Sequence, residues 1–431
     1  MAAKGPIDHM RSVDIKETER KKGARRDKFY RKSPLESQLW EGEIERLAWG
    51  GLGISHLDDG RVLLLDAPLA IFPHEVVRAT IRQRSKHAEG EVTSWIKPSP
   101  SRSPSTCPAA GQCGGCNLQE SGDNHSNLKQ SMVEDLFRRM LPNQSWDWMP
   151  APEDARRHRI QLHWDGKSLG FHQRKKKTIV PVNSCPAAVP SISGAIPRLK
   201  EAMEYKVLPS RPQRWELASG TPAADVFAID ETQKMWLLEP DGWRRTEKPV
   251  IHSISDHKLT HRPGSFFQVS AQWAMKSFQE VLAKWNIKGR TLYDLFGGVG
   301  LFSIIIGERF DNCVLVESNC DSIIHARQNL TNARLSHQCI ELDVEVWMSD
   351  NLGCQDDVII LDPPRAGLSA AIVQSLLKSK VGTIVLIGCD GATFCRDIQR
   401  LSQSWKIKEI TVIDLFPMTT HVECVGMLQP L

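Results

Sequence analysis

The stretch LYDLFGGVGLFSIII, residues 292–306, decides the fold that we predict for the C-terminal part of this chain. It has the pattern of a strand, a glycine turn and a helix, with Asp294 closing the strand and Gly298 among three glycines in the turn. Glycines let the backbone approach a bound cofactor closely. The dinucleotide pattern G-x-G-x-x-G is met only in part, because Ser303 stands where the third glycine should be. This departure disfavours an NAD-dependent dehydrogenase.

Carboxylates follow the first strands of this region. An acidic strand end ahead of the glycines suits a cationic cofactor such as S-adenosylmethionine (SAM) better than a pyrophosphate. Glu317 ends the next strand, where a carboxylate can accept hydrogen bonds from both ribose hydroxyls, and Asp343 ends the third, near the expected adenine. One such carboxylate alone is more often a solvated loop residue. Three at successive strand ends predict a SAM-binding fold.

The segments around this stretch alternate between two patterns. Strand-like runs such as CVLVES, DVIILD and GTIVLIGC are separated by helical patterns such as DSIIHARQNLTNARL and AAIVQSLLKSK. This alternation predicts parallel strands with crossover helices, hence an α/β, doubly wound, Rossmann-like sheet, which we assign to residues 251–431. Ligands of such sheets bind outside the carboxyl ends of the strands.

The fourth strand ends in LDPPRAG, which places Asp362 ahead of two prolines that make the turn rigid. Enzymes that methylate the amino groups of adenine or cytosine have a similar D-P-P element followed by an aromatic residue that stacks on the base. Arg365 occupies that place here, so amino methylation is disfavoured.

The fifth strand ends at Cys389 in TIVLIGCDGATFCRD, residues 383–397. A lone thiol in an apolar setting is usually core filler. A glycine-containing turn and a helix that begins near Thr393 follow this cysteine, and a helix N-terminus stabilises negative charge, so the pattern favours a reactive thiolate. Glu423, just ahead of the last apolar strand, supplies a carboxylate that can act as a base.

Length and composition set outer limits on the class of protein. A chain of 431 residues with 41% hydrophobic and 25% charged residues is expected to form two or three ordinary globular domains. We find no apolar run of the roughly 18 residues that a membrane helix needs and no signal-peptide pattern. These features predict a cytoplasmic protein without a membrane partner, and nothing indicates an obligate protein partner.

The N-terminal segment, residues 1–36, is basic and carries 11 Lys and Arg against 6 Asp and Glu. It lacks a pattern of core-forming residues, and we interpret it as a flexible arm. The arm is either a solvated tail or an electrostatic contact to nucleic acid, which gains affinity by releasing counterions from phosphate.

Residues 37–98 contain short alternating apolar runs separated by Gly, Asp and Pro turns, a spacing typical of a small closed β-barrel. A linker rich in Pro and Ser, KPSPSRSPST, then marks a boundary. The stretch WGGLGISHLDDGRVLLLDAPLAIFPHEVVRATI resembles the TRAM domain, an OB-like barrel that accompanies several RNA-modifying enzymes. That resemblance implies RNA contacts from a set of basic residues, Arg78, Arg82, Arg84 and Lys86.

Cysteines mark the central region, residues 99–250. Eleven cysteines without a secretion signal indicate thiols and metal ligands rather than disulfides. Four of them can hold a tetrahedral zinc ion or a four-iron four-sulfur (4Fe-4S) cluster. Three close ligands and one distant ligand favour the iron–sulfur cluster, although zinc remains an alternative. The four are Cys107, Cys113, Cys116 and Cys185.

Four elements, DLFGGVG, LDPPRAG, IGCDGATFCRD and DLFPMTTHVE, together resemble the RNA uracil carbon-5 methyltransferase family. The resemblance covers the C-terminal domain and, with the barrel and the cysteines, nearly all of the chain. It implies Cys389 as nucleophile and Glu423 as proton acceptor, and family members with this cysteine order carry a 4Fe-4S cluster. With the glycine turn and the strand ends, the expected SAM site comprises Gln268, Phe296, Gly298, Glu317, Asp343 and Asp362.

The chemistry of that family explains these residue types. A thiolate that adds to carbon 6 of uracil produces an enolate able to attack the methyl group of SAM, and a carboxylate then removes the proton from carbon 5. Arg365 can stabilise the enolate oxygen, and the target base must leave its stack. One departure stands out: Asp390 and Gly391 replace the usual Asn-Pro, which predicts a looser turn with a negative charge near the thiolate.

The sequence therefore predicts a SAM-dependent RNA uracil carbon-5 methyltransferase that forms 5-methyluridine. Family members that combine barrel and cluster mostly act on 23S ribosomal RNA, which favours that substrate. Two alternatives remain: the same chemistry on transfer RNA, and a catalytically inactive RNA-binding or ribosome-assembly protein.

Overall fold

The computed structural model describes residues 37–222, 225–350 and 353–431 of the chain. The basic arm predicted for residues 1–36 lies outside these residues. Four β-sheets of six, seven, two and eight strands organise the described parts of the chain.

The first sheet is built from strands whose apolar side chains alternate between buried and exposed positions, because successive side chains point to opposite faces. On its fifth strand, for example, Val77, Ala79 and Ile81 are buried. The strand order is β1-β5-β6-β4-β3-β2. The strands are β1 Gln38–Glu43, β2 Arg46–Leu47, β3 Gly53–His56, β4 Val62–Asp66, β5 Val76–Gln83 and β6 Ala88–Lys97.

This sheet closes on itself through its first two strands. β1 pairs with β5 on one side and β2 pairs with β3 on the other, and only two residues, Ile44 and Glu45, separate β1 from β2. The Ile44 N–H donates to the Glu75 carbonyl, while the Glu45 N–H donates to the Ile54 carbonyl. One bent segment thus serves both edges, and the β-rich N-terminal domain expected from the sequence is present.

The second sheet occupies the central region and is antiparallel throughout, in the order β10-β9-β8-β11-β12-β13-β14. Its apolar face packs on a helix, α2, through Ile196, Leu199, Leu162 and Trp215. In chain order this part contains α1 His125–Met140, β7 Asp147–Met149, β8 Arg159–Trp164, β9 Leu169–His172, β10 Ile179–Pro181, α2 Pro190–Glu204, β11 Gln213–Ser219, β12 Val226–Asp230, β13 Met235–Glu239 and β14 Gly242–Arg245.

A two-stranded hairpin and helix α3 lead into the third domain, an eight-stranded sheet of order β19-β18-β17-β20-β21-β23-β22-β7. Its remaining elements are β15 Val250–Ile254, β16 His257–His261, α3 Ala271–Lys284, β17 Gly289–Leu295, α4 Leu301–Ile306, β18 Phe310–Glu317, α5 Cys320–Asn332, β19 His337–Glu341, α6 Val344–Met348, β20 Val358–Leu361, α7 Ala370–Lys378, β21 Thr383–Gly388, α8 Gly391–Leu401, β22 Trp405–Ile413 and β23 Glu423–Pro430.

The five strands from β17 to β21 pair in parallel, as the alternating patterns predict. β23 then enters antiparallel to both β21 and β22. Helices cover both faces and form two apolar cores, one around Leu361 and Phe394 and the other around Phe278 and Ile360. The α/β class with a doubly wound sheet is therefore confirmed, and the carboxyl ends of β17, β18, β20 and β21 share one edge.

The structure draws the boundary between the central and C-terminal parts differently from the sequence. We assigned residues 99–250 to one central region, yet β7 is the edge strand of the C-terminal sheet beside β22. α1 also packs into that domain, because Val133, Leu136 and Phe137 belong to its apolar core. The physical reason is that α1 carries an apolar face that only the third domain and the barrel can bury.

Among the described residues, no helix combines the length and the hydropathy that crossing a membrane requires.

Candidate active site

Cys389 follows β21 directly and lies across the sheet from Glu423. Gly388 pairs with Cys424 in the antiparallel ladder of β21 and β23, so the residues next to this pair, Cys389 and Glu423, come side by side. Cys389 is half-buried and Glu423 is buried. The structure thus brings together the two residues for which the sequence predicted chemistry.

The surroundings of Cys389 hold its thiol in the neutral form. Burial, together with the nearby carboxyls of Glu423 and Asp362, raises the pKa of Cys389 to about 11, and the Arg365 guanidinium opposes that rise. Burial and the proximity of Asp362 also raise the pKa of Glu423 well above its usual range. The expectation of a thiolate stabilised by the helix N-terminus does not describe this state, because desolvation outweighs the favourable charges.

Arg365 lies on the solvent side of this pair, in the turn after β20. Its guanidinium is exposed and lies 3.3 Å from Nε2 of His421. A small pocket between this turn and the end of β21 is lined by Pro363, Arg365, Cys389 and Phe394. The thiol of Cys389 and the guanidinium of Arg365 thus line one pocket.

Asp390, which follows Cys389, caps the next helix. Its carboxylate accepts a hydrogen bond of 2.9 Å from the backbone N–H of Thr393, at the start of α8. A side-chain cap of this kind stabilises a helix by about 1 kcal/mol. The looser turn that Asp390 and Gly391 predict stays a prediction, and the negative charge of Asp390 lies at the first turn of the helix.

Three of the six predicted SAM contacts lie at the end of β18 and in the turn between β17 and α4, and a fourth, Asp343, follows β19. Phe296 has a φ of 59°, a left-handed conformation that is costly for a bulky residue and marks a functional turn. The Gly298 N–H donates to the Glu317 carboxylate over 3.1 Å, and the Asn319 N–H donates to the same group over 2.8 Å. Glu317 is thus fixed at the carboxyl end of β18, where a ribose would lie. Asp343 begins α6, is exposed and caps that helix through the N–H of Glu345.

The other two predicted contacts form a pair. Gln268 Nε2 donates to Asp362 Oδ2 over 3.3 Å. Burial and the nearby Asp294 raise the pKa of Asp362 to about 7, and the Gln268 hydrogen bond opposes the rise. A cation that binds beside Asp362 would favour its carboxylate form, so binding of the cation and ionisation of Asp362 are linked.

Asp294 differs from the strand-end carboxylate that we expected. It is fully buried within β17, and its Oδ2 accepts hydrogen bonds from both the N–H (3.0 Å) and the hydroxyl (2.7 Å) of Ser303. Ser303, which breaks the dinucleotide pattern, therefore serves to bind this carboxyl group. Burial raises the pKa of Asp294 to about 7.

Sequence reasoning missed a buried lysine that shapes the site. Lys129 on α1 is fully buried, forms an ion pair with Asp414, and donates to the carbonyls of Phe416 (2.8 Å) and His421 (2.9 Å). It therefore fixes the strap, by which we mean residues 414–421 between β22 and β23. No local pattern marks this lysine, because its partners lie almost 300 residues further along the chain.

The cysteine segment grips the same strap. The side chain of Asn117 donates to the Thr420 hydroxyl and accepts from the Thr420 N–H, each over 2.9 Å. The N–H of Leu118 donates to the Met418 carbonyl, also over 2.9 Å. The residue after Cys116 is thus bonded to the segment that leads directly into Glu423.

The four predicted metal ligands line one cavity of about 370 Å³. Burial raises the pKa of Cys113 to about 11, and the charges of the other three thiols add to that rise. Arg157 lies beside them and donates to the Gly115 carbonyl over 3.1 Å. Within the described parts of the chain, no three His, Cys, Asp or Glu side chains lie close enough together to hold a single metal ion.

Two of the four barrel residues for which the TRAM resemblance implies RNA contacts, Arg78 and Arg84, have acidic partners. Arg78 pairs with Glu41 and Arg84 with Glu89, both on the barrel surface. Arg174 donates to Asp66 of the barrel over 2.5 Å, and Lys175 pairs with the same carboxylate. These last two therefore connect the central region to the barrel.

Comparison with known proteins identifies the C-terminal part of the chain. Residues 250–430 match the sequence model of the tRNA (Uracil-5-)-methyltransferase family. This part of the chain is therefore similar in sequence to the RNA uracil-5 methyltransferase family. The residues of that family region include Cys389, Glu423, Asp362 and Gln268, whose geometry is described above.

Similarity to individual relatives extends over most of the chain. The chain is 27% identical to the 23S rRNA (uracil(1939)-C(5))-methyltransferase RlmD of Vibrio campbellii, over 93% of this chain and 98% of that protein. It is 29% identical to the RlmD of Vibrio vulnificus, over 91% and 97% of the two chains. An uncharacterized RNA methyltransferase of Thermotoga maritima is 26% identical over 89% and 98%.

The fold is shared with a solved structure. The tRNA (uracil-54, C5)-methyltransferase of Pyrococcus abyssi, in complex with S-adenosyl-L-homocysteine, superposes with a TM-score of 0.70 at 24% identity, covering 90% of this chain and 100% of that chain. The two chains therefore share a fold over most of their length.

Proposed function

We propose that this protein transfers the methyl group of SAM to carbon 5 of a uridine in RNA, and that its substrate is 23S ribosomal RNA. The observation that carries the proposal is the placement of Cys389 beside Glu423 across β21 and β23, with Arg365 and Asp362 around them. The RlmD relatives, which match over more than nine-tenths of this chain, support the substrate and imply a cytoplasmic reaction.

Cys389 acts as the nucleophile in this proposal. The thiol of Cys389, which is only half-buried, loses its proton to solvent, and its Sγ then bonds to carbon 6 of the uracil. This leaves an enolate whose oxygen lies within reach of Arg365. SAM supplies the methyl group and a sulfonium charge. A nearby cation favours the carboxylate forms of Asp362 and Glu423 and so lowers the pKa values that burial has raised.

Glu423 completes the reaction as a base. Carbon 5 takes the methyl group and S-adenosylhomocysteine is released; the Glu423 carboxylate then takes the remaining carbon-5 proton. The double bond re-forms, and Sγ leaves carbon 6 as a thiolate that regains a proton from solvent. The strap held by Lys129 fixes the backbone just ahead of Glu423. The thiol is thereby regenerated and 5-methyluridine is released.

The test is methylation of unmodified RNA with labelled SAM, followed by mass-spectrometric mapping of the methylated uridine. We expect Cys389→Ala to abolish incorporation, whereas Cys320→Ala, which removes an exposed cysteine on α5, should leave it intact. RNA with 5-fluorouridine at the target should form a stable adduct at Cys389, because fluorine cannot leave as the proton does.

The same assay separates the remaining candidates. Methylation of transfer RNA with 23S ribosomal RNA unmodified would favour the transfer-RNA reaction, which the family description and the Pyrococcus abyssi enzyme name. Tight binding of RNA without incorporation into any substrate would favour an inactive RNA-binding or assembly protein.

We further propose that Cys107, Cys113, Cys116 and Cys185 hold a 4Fe-4S cluster. Four thiols on one cavity suit this group, and the positive charge of Arg157 would offset part of the charge of thiolate ligands. Three close ligands and one distant ligand favour such a cluster over a single zinc ion, whose ligands usually come as two short pairs. The cluster would link Cys185 to the segment that carries Cys107, Cys113 and Cys116, and would so stabilise the central region.

Metal analysis of protein purified without oxygen tests this assignment. We expect about four irons and four sulfides per chain, with loss of both in Cys185→Ser. One zinc per chain with no iron would contradict the cluster.

The barrel of residues 37–98 is proposed to bind RNA as a TRAM-like domain, and the central region of residues 99–250 to support that contact.

A further inference from the structure

A tryptophan of the barrel lies against the turn that follows the nucleophile. We propose that Trp49, in the loop between β2 and β3, is a positioning residue that fixes the Cys389 turn for attack on the base. This inference rests on the proposed function, and it assigns to the barrel a part in the chemistry in addition to RNA contact.

The contact with the turn is direct. Trp49 Nε1 points at Asp390 Oδ2 from 3.5 Å, and the ring is half-buried between the barrel core and the core of the methyltransferase domain. A Cβ atom added to Gly391 would stand only 2.7 Å from the ring, far inside van der Waals contact. Gly391 therefore leaves the space that Trp49 fills.

The same loop contacts the other half of the active site. Gly51 has a φ of 83°, and a Cβ atom there would come within 2.6 Å of Thr420, in the strap that precedes Glu423. Strand β2, which precedes the loop, contacts α1 through a 3.1 Å ion pair between Arg46 and Asp135. Two residues of this loop thus lie against the segments that carry the proposed catalytic groups, Trp49 against the Cys389 turn and Gly51 against the strap.

The consequence for Cys389 follows from its position. Cys389 lies between the rigid end of β21 and Asp390, which caps α8 through Thr393. The Trp49 ring closes the outer side of this cap and prevents the first helical residue from shifting. A displacement of a reacting group by about 1 Å can cost on the order of a hundredfold in rate. The barrel loop thus compensates for the flexibility that Gly391 brings to the turn.

The first experiment compares two barrel tryptophans. Trp49→Phe keeps a ring but loses the N–H, and Trp49→Ala removes both; Trp40→Phe, on β1, is the matched control because Trp40 packs on the barrel core alone. We expect the Trp49 variants to lower kcat by about tenfold or more with little change in KM for SAM, and to slow adduct formation with 5-fluorouridine RNA to the same extent. The control should match the wild type.

The second experiment asks whether Trp49 and Gly391 act through each other. Gly391→Ala should slow adduct formation by itself, because the new methyl group displaces the ring. In the background of Trp49→Ala, Gly391→Ala should slow adduct formation much less than it does in the wild type, since the nearest collision partner is gone and only the flexible end of Leu136, 3.0 Å away, remains. Melting temperatures of all variants identify any loss of folding, and Trp49→Phe supports the test if the alanine variant is unstable.

A third measurement needs no RNA substrate. The rate at which iodoacetamide alkylates Cys389, followed by mass spectrometry of its peptide against pH, should change in the Trp49 variants and not in Trp40→Phe. Equal alkylation and equal adduct rates in all variants would overturn the positioning role while leaving the proposed function intact. Absence of any methylation or adduct in the wild type would instead overturn the proposed function.

Discussion

At the scale of single residues, the candidate site is a cluster of acidic groups kept partly neutral by burial. Cys389, Glu423 and Asp362 each have a raised pKa. Glu423 and Asp362 raise the pKa of Cys389, and Asp362 also raises that of Glu423. The Arg365 guanidinium opposes the rise in the pKa of both Cys389 and Glu423. The arrangement predicts that the pKa of each group depends on the charge of the others, so that removing one carboxyl changes the pKa of the thiol.

Glu423→Gln tests that coupling. Removing the carboxyl takes away one of the causes that raise the pKa of Cys389, so the thiol should ionise at lower pH and be alkylated faster at about pH 8. Methylation should stop, because no base remains for the carbon-5 proton, and the methylated RNA should stay bonded to the protein. Faster turnover, or an unchanged alkylation profile, would contradict the assignment of Glu423.

The pH dependence of cofactor binding follows from Asp362. Its pKa of about 7 means that the carboxylate form becomes more populated as pH rises, and a cation binds that form better. We expect the affinity for SAM, measured by calorimetry, to increase roughly tenfold between about pH 6 and pH 8. S-adenosylhomocysteine, which has no sulfonium charge, should show a much flatter profile. Asp362→Asn should flatten the profile of SAM as well; a steep profile in that variant would count against Asp362.

At the scale of elements, α1 decides how the strap is held. The helix places Lys129 and His125 one turn apart, and both contact Asp414 at the end of β22. Burial and these partners act on Asp414 in opposite directions, and the net effect lowers the pKa of its carboxyl. The lysine, the strap and Glu423 therefore form one hydrogen-bonded unit.

Lys129→Met should destabilise this unit strongly. Breaking a buried ion pair by removing one partner costs about 3–5 kcal/mol, because Asp414 would remain buried without its main counter-charge. The matched control is Lys200→Met on α2, whose exposed pair with Glu204 should contribute at most about 1 kcal/mol. Urea unfolding of the two variants measures both free energies. Equal losses would show that the Lys129 pair has no special weight.

Asn117→Ala addresses the second grip on the strap. The loss of two hydrogen bonds to Thr420 should increase hydrogen exchange in residues 414–423 while leaving the iron content unchanged. Because the strap leads into Glu423, removal of the carbon-5 proton should slow more than adduct formation. Unchanged exchange in the strap would show that Lys129 holds it alone.

At the scale of the whole molecule, two of the three domains, the barrel and the methyltransferase domain, share helix α1 between their cores. α1 contributes Leu128 and Met132 to the barrel core, and Leu136 and Phe137 to the core of the methyltransferase domain. A helix that fills two cores couples the unfolding of both, because neither can lose it separately. The barrel, about 60 residues long, gains in this way the apolar cover that a domain of its size lacks alone.

Calorimetry can test this coupling. We expect Met132→Ala, on the barrel side, and Phe137→Ala, on the methyltransferase side, to lower one common transition, each by about 2–5 kcal/mol. A variant that splits the trace into two transitions, with only its own domain affected, would show that the two cores unfold separately.

The sequence by itself determined the local features. The glycine turn after β17, the strand ends at Glu317 and Asp362, the thiol after β21 and the cysteine spacing are short patterns whose physical meaning needs only neighbouring residues. For the same reason the α/β class and the barrel were predictable. The periodicity of a strand or helix is written in consecutive residues.

Only the tertiary structure decided the long-range features. Lys129 and Asp414, Asn117 and Thr420, and Trp49 and Gly391 are separated by about 285 to 340 positions, and nothing near either member marks the other. The transfer of α1 and β7 to the C-terminal domain and the neutral state of Cys389 also come from packing. The physical reason is that desolvation and ion pairing depend on which groups share a buried volume, and chain order does not specify that.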